Sequence, residues 1–174
     1  MKVYLVTPKY DEFKSYDLKN PSTENLLAIM CKGKEVNLSK PLEIVTDEED
    51  IGLNEADFGL INIGSIVLTE HVIDTFGEFA KNYGELIPLE YGSRTLMLWN
   101  VTNIVDALDE EHSEMNSYGG VDEEVFSKEK IGTSKIFKIK EDNFTNIYCT
   151  GVFKQMVEEN AFSGLVFEEI DVVD

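Results

Sequence analysis

The sequence predicts an α+β fold: a single domain in which a mixed or antiparallel sheet carries a few packed helices. Three observations point there. Two stretches, 70–82 and 151–160, place apolar residues at helical spacing. Around them lie short runs rich in β-branched and aromatic residues, which read as strands. The order strand, Thr, helix, glycine, strand then occurs twice, in SIVLTEHVIDTFGEFAKNYGELIPLE and in NIYCTGVFKQMVEENAFSGLVFEE. Thr69 matches Thr150, and Gly84 matches Gly164 with a small length difference. This is either an internal strand-helix-strand repeat or one βαβ grammar used twice. At 174 residues the chain has the length of one domain and can bury a sizeable core.

In chain order, KVYLVT (2–7) reads as a first strand, and 8–20 as loop or turn. Residues 22–32 are either a helix capped by Ser22 or Thr23 and closed by Gly33, or a strand over LLAIM with a turn after it. PLEIVT (41–46) is a short strand, and the acid run 47–50 a solvated loop. DFGLINIGSIVLT (57–69) gives two short strands, or one bent at Gly64. The helix over 70–82 has Val72, Ile73, Phe76, Phe79 and Ala80 on one side. Thr69 is its expected N-cap and Gly84 its C-terminal stop. Pro88 cannot donate to a ladder, so LIPLEY (86–91) reads as an edge strand or a strand end. Gly92-Ser93 is turn chemistry, and TLMLWNV (95–101) suits a strand buried on both faces, with Trp99 in the core. Gly119-Gly120 opens a mobile segment, and 121–130 is a short helix or an ordered loop. SKIFKIK (134–140) and NIYCT (146–150) are strands. The helix over 151–160 has Val152, Phe153, Met156 and Val157 on one side, and LVFEEI (165–170) is the last strand.

Charge excludes some function classes. The chain has 34 acidic and 15 basic residues, a formal net charge of −19. Binding to nucleic acid by phosphate neutralisation needs Lys/Arg clusters, and anionic membrane surfaces repel such a chain. A field of this sign speeds encounter with a basic protein, although solubility alone also accounts for it. No stretch approaches the roughly 18 apolar residues of a membrane span, and the first residues lack the pattern of a signal peptide. A cytoplasmic location is the expectation.

The chemistry-bearing motifs are missing. There is no phosphate loop, GxGxxG, HExxH, CxxC or GxSxG. Cys31 and Cys149 sit in apolar runs and read as buried packing residues. His112 with Asp106 and Asp109 has no ligand spacing of a known metal site, and DALDEE lacks the alternation and glycine of an EF-hand loop. No cofactor and no nucleophile–base pair is indicated. What stands out is the acidic patch Asp106, Asp109, Glu110, Glu111 and Glu114, adjoining His112. Were this stretch helical, Asp106, Glu110 and Glu114 would share a face and repel. The plainer reading is a solvated helix end or loop.

Three segments taken together resemble the eleventh immunity-protein family of bacterial polymorphic toxin systems. They are ADFGLINIGSIVLTEHVIDTF, then GELIPLEYGSRTLMLWNVTNIVDALDEEHSE, then IFKIKEDNFTNIYCTGVFKQMVEENAFSGLVFEEI. In the middle element Asn100, Val101, Val105, Asp106, Leu108, Asp109 and Ser113 fit the family pattern, and Gly164, Leu165 and Phe167 fit its ending. The resemblance covers about residues 56–170. Where the family usually has serine at both helix starts, this chain has Thr69 and Thr150, and it has Gly151 where Glu is usual. The resemblance implies a non-enzymatic, cytoplasmic protein that binds and neutralises a cognate toxin, itself expected to present a basic surface. The acidic patch is then the expected toxin contact, although Asp106, Asp109 and Ser113 fit equally well as residues that brace the fold. The alternatives are an enzyme using carboxylate acid/base chemistry, or a metal-binding regulatory module.

Overall fold

The computed structural model describes residues 1–38 and 40–174. The fold is α+β, with mixed sheets and four helices. In order, the strands and helices are β1 (Val3–Pro8), β2 (Tyr16–Leu18), α1 (Thr23–Ile29), β3 (Leu42–Thr46), β4 (Phe58–Gly59), β5 (Ile66–Leu68), α2 (Glu70–Lys81), β6 (Gly84–Tyr91) and β7 (Arg94–Val101). The remainder are β8 (Glu114–Met115), β9 (Val121–Glu123), β10 (Val125–Ser127), α3 (Lys128–Ile131), β11 (Ile136–Phe137), β12 (Ile147–Thr150), α4 (Gly151–Glu159) and β13 (Leu165–Val173). One sheet runs β2-β3-β6-β7-β5-β4, a second β10-β13-β1-β12-β11, and β8 and β9 form a hairpin of their own.

The two strand-helix-strand units have the same architecture. β5 and β6 both pair antiparallel with β7, which lies between them. β12 and β13 flank β1 in the same way. The registers coincide as well. Ile66 and Leu86 face Trp99, and Ile147 and Phe167 face Val6. Each pair stands at the same distances along the chain from its threonine, Thr69 or Thr150. Outside these strands, β3 runs parallel to β6 as β10 does to β13, and β4 pairs with β5 as β11 does with β12. The repeat is therefore a matched pair of half-folds, in which the N-terminal strand β1 completes the C-terminal half. The register aligns Gly84 with Leu165, one residue beyond the Gly164 that the sequence pairing selects.

Burial follows from this plan. The main core gathers Leu68, Trp99 and Val101 from one sheet and Tyr4, Val6 and Cys149 from the other, with Phe76 of α2 and Phe153 of α4 between them. Phe76 meets Phe153 edge-on at 5.7 Å, and Phe79 stacks on it at 5.8 Å. Trp99 is fully buried and its indole N–H donates to the Ala80 carbonyl at 3.1 Å. Smaller clusters cover the other faces: α1 residues over Leu42, Leu89 and Leu98, and Ala107, Leu108 and Ile131 over Val3, Phe137 and Tyr148.

Of the readings left open for residues 104–113 the loop holds: they form isolated bridges and a turn, because Leu108 pairs with Phe126 and Ile104 with Lys138. Several other local expectations need correction. Thr69 and Thr150 occupy the N-cap positions, but neither hydroxyl caps its helix. Gly84 does not stop α2, which ends at Lys81. It opens β6, where a Cβ would lie 2.0 Å from the Asn100 carbonyl oxygen. Val152 is half-exposed rather than on the packed side of α4, and 8–20 contains the short strand β2. β6 is paired on both sides only at Leu89 and Glu90, so Pro88 sits where its outer edge is open. Lys138, within a predicted alternating strand, is wholly buried. Its ammonium donates to the carbonyls of Cys31 (2.6 Å), Gly64 (2.7 Å) and Phe144 (3.1 Å), tying three loops together.

Candidate functional site

The acidic patch lies on a lobe built from residues 104–125. This stretch holds eight carboxylates and neither lysine nor arginine. Leu108 and Ala107 anchor it to the core, and Asp109 and Ser113 give it shape. The Asp109 carboxylate accepts from the backbone N–H groups of Glu111 (3.2 Å) and His112 (3.1 Å), and from the His112 ring at 2.8 Å. These contacts hold the Asp109 carboxyl below, and the His112 imidazole above, their ordinary titration ranges. The Ser113 hydroxyl donates to the Val125 carbonyl and accepts from the Val125 N–H, stitching the turn to β10. Asp106 lies 3.4 Å from the Lys140 ammonium. Of the five predicted residues, two are thus locally engaged. Glu110, Glu111 and Glu114 are exposed and have no cation within ion-pair distance among the described residues.

The structure adds neighbours that the linear patch omits. Glu114 stands directly across the hairpin from Glu123. Like charges so placed repel, which weakens a two-stranded ribbon already marginal in water. The tip is nevertheless ordered by bonding. The Asn116 side-chain carbonyl accepts from the N–H groups of Tyr118 (3.0 Å) and Gly120 (2.9 Å), and its amide donates to Asp122 at 3.0 Å. Gly119 takes φ +83°, the left-handed conformation that glycine adopts without strain. The result is a Tyr118 side chain 97 % exposed on a fixed turn, beside the exposed Met115. The signal for it was available as turn chemistry, Asn-Ser-Tyr-Gly-Gly inside an acid run. The placing of Glu123 opposite Glu114 depends on hairpin register.

Elsewhere carboxylates brace structure. A small cavity of about 170 Å³ is lined by Asp11, Asp47, Glu49 and Asp50. Asp50 accepts from the Ser15 N–H and hydroxyl, which hold its carboxyl below the usual range, and Asp47 caps a short 3-10 turn. That volume falls short of the roughly 300 Å³ at which small-molecule pockets begin. Cys31 and Cys149 are both buried and free; burial pushes the Cys31 thiol up to about 12 and the Cys149 thiol higher still. Among the described residues no helix is long and apolar enough to cross a membrane.

Residues 92–172, somewhat under half of the chain, match the model of the Immunity protein family (Imm11). No curated protein matches the chain. The matched span runs from the β6–β7 turn through β13 and includes the whole acidic lobe, whereas β1, which completes the same sheet, lies outside it.

Proposed function

We propose, from the match of residues 92–172 to the Imm11 family model, that this chain is a non-enzymatic, cytoplasmic immunity protein that binds a cognate toxin and neutralises it by occupying its surface. It acts as one domain, because its central core draws side chains from Tyr4 to Leu165. The observation that carries the reading is the lobe within the matched span: exposed Glu110, Glu111, Glu114 and Glu123, without an ion-pair partner among the described residues, with an exposed Tyr118 at the hairpin tip. Asp106 and Asp109 shape this surface. Charge of one sign accelerates encounter with a basic partner, while a buried aromatic anchor supplies most of the affinity.

The test is co-expression with the toxin encoded beside this gene. Protection and a co-purifying complex are expected. Reversing Glu110, Glu111 and Glu114 to lysine should lower the association rate at least tenfold at low salt and flatten its salt dependence. Tyr118→Ala should weaken binding about thirtyfold, on the order of 2 kcal/mol, with stability unchanged. Absence of any complex refutes the immunity reading. Unaltered binding by both variants refutes this surface.

A further inference from the structure

The two matched helices begin differently. At α2, the Thr69 hydroxyl donates to the Asp57 carbonyl at 3.3 Å, and Glu70 supplies a first-turn carboxylate that the Arg94 guanidinium holds at 2.6 Å. At α4, Gly151 stands where Glu70 stands in α2, and the first turn has no acid. Thr150 is only 4 % exposed, yet its hydroxyl makes no hydrogen bond among the described residues. It lines a cavity of about 490 Å³ that opens in front of the helix. The cavity is walled by Lys2, Thr133, Ser134, Lys135 and Val152, and none of its lining residues is acidic, although the chain carries 34 acids. Lys2 is paired with Glu169 at 2.8 Å. Lys135 has no carboxylate within ion-pair distance among the described residues, and its ammonium lies 5.9 Å from the Phe79 ring centroid. Val152 and Met1, both half-exposed, give the cavity an apolar wall.

We propose that this cavity binds a carboxylate bearing a short apolar body. The carboxylate takes the place at α4 that the Glu70 side chain has at α2. It accepts from the Thr150 hydroxyl and from the first-turn amides beyond Gly151, whose own N–H donates to the Lys2 carbonyl at 3.0 Å, and it faces the Lys135 ammonium. The positive end of the helix favours an anion there, and the remaining first-turn N–H groups are its donors. Aliphatic carbons lie along Val152 and Met1. A Cβ built on Gly151 meets nothing within 4 Å, so the space is open. The site shares no residue with the acidic lobe and stands whether or not that lobe touches a toxin.

The test is titration of the 15N-labelled full chain with hexanoate, hexylammonium and inorganic phosphate, followed by amide shifts. Hexanoate should move the amides of Thr133–Lys135 and Gly151–Phe153 saturably, and hexylammonium should not. Gly151→Glu, which supplies its own carboxylate, should weaken hexanoate binding at least tenfold without lowering the melting temperature. Lys135→Met and Thr150→Val, close in size to the originals, should each weaken it severalfold, which keeps the test open should Gly151→Glu misfold. Unmoved amides, equal shifts with hexylammonium, or undiminished binding by all three variants overturn the site. Phosphate binding as tightly as hexanoate overturns the apolar half of the assignment.

Discussion

Lys138→Met removes the ammonium that holds the Cys31, Gly64 and Phe144 carbonyls and leaves a side chain of similar length in its place. Two effects oppose each other. Hydrogen bonds to a charged donor contribute about 1.5–3 kcal/mol each, so losing three removes about 4–9 kcal/mol. Against this, burial draws the lysine from 10.5 to about 8. Each unit is about 1.4 kcal/mol, so keeping the charge in the folded state costs roughly 3 kcal/mol, which methionine avoids. The hydrogen bonds win, and Lys138→Met should lose about 3 kcal/mol at pH 7, or roughly 6–12 °C in melting temperature. The pH profile gives a sharper signature. Between pH 8 and 10.5 the unfolded chain binds more protons at this lysine than the folded chain does, so its contribution to stability rises with pH there. Below pH 8 the burial cost is felt in full. The raised thiols of Cys31 and Cys149 and the raised phenols of Tyr16 and Tyr148 act in the opposite direction as pH climbs. Those of Cys149, Tyr16 and Tyr148 are common to both proteins and cancel in the difference; Cys31, which the Lys138 charge pulls down, is pushed further up in the variant and stays protonated through this range in either protein. Urea unfolding of wild type and variant from pH 7 to 10 should show the gap widening by up to about 3 kcal/mol. Parallel profiles, or a variant as stable as wild type at pH 7, would refute the reasoning.

Three further outcomes follow from geometry. Gly84→Ala places a methyl group 2.0 Å from the Asn100 carbonyl oxygen, so β6 and β7 must part; a loss of about 2–3 kcal/mol in denaturant unfolding is expected, with the intrinsic fluorescence of Trp99 as reporter. Glu123→Lys turns the repulsive pair with Glu114 into an attractive one. It should stabilise the β8–β9 hairpin by about 0.5 kcal/mol, read as slower amide exchange at Met115 and Val121. Trp99→Ala empties the centre of the main core and should cost about 3–5 kcal/mol in denaturant unfolding followed by circular dichroism, since the chain has no other tryptophan to report.

Sequence alone determined what depends on local pattern. The apolar spacing within α2 and α4, the β-branched runs of β1, β7 and β12 and the Gly92-Ser93 turn are properties of neighbouring residues, and those elements stand where the pattern puts them. The repeated strand-helix-strand order was legible for the same reason. The bracing role open to Asp109 and Ser113 came instead with the family resemblance, and their bonds act within one turn and its partner strand. Tertiary structure alone decided what depends on pairing between distant segments. The acidic stretch was open to a helix until Leu108 and Ile104 found β-partners at Phe126 and Lys138. The burial of Lys138 rests on carbonyls from three separate loops, and the Glu114–Glu123 confrontation on hairpin register. The joining of β1 to the C-terminal half spans nearly the whole chain, and no local periodicity encodes a contact of that length.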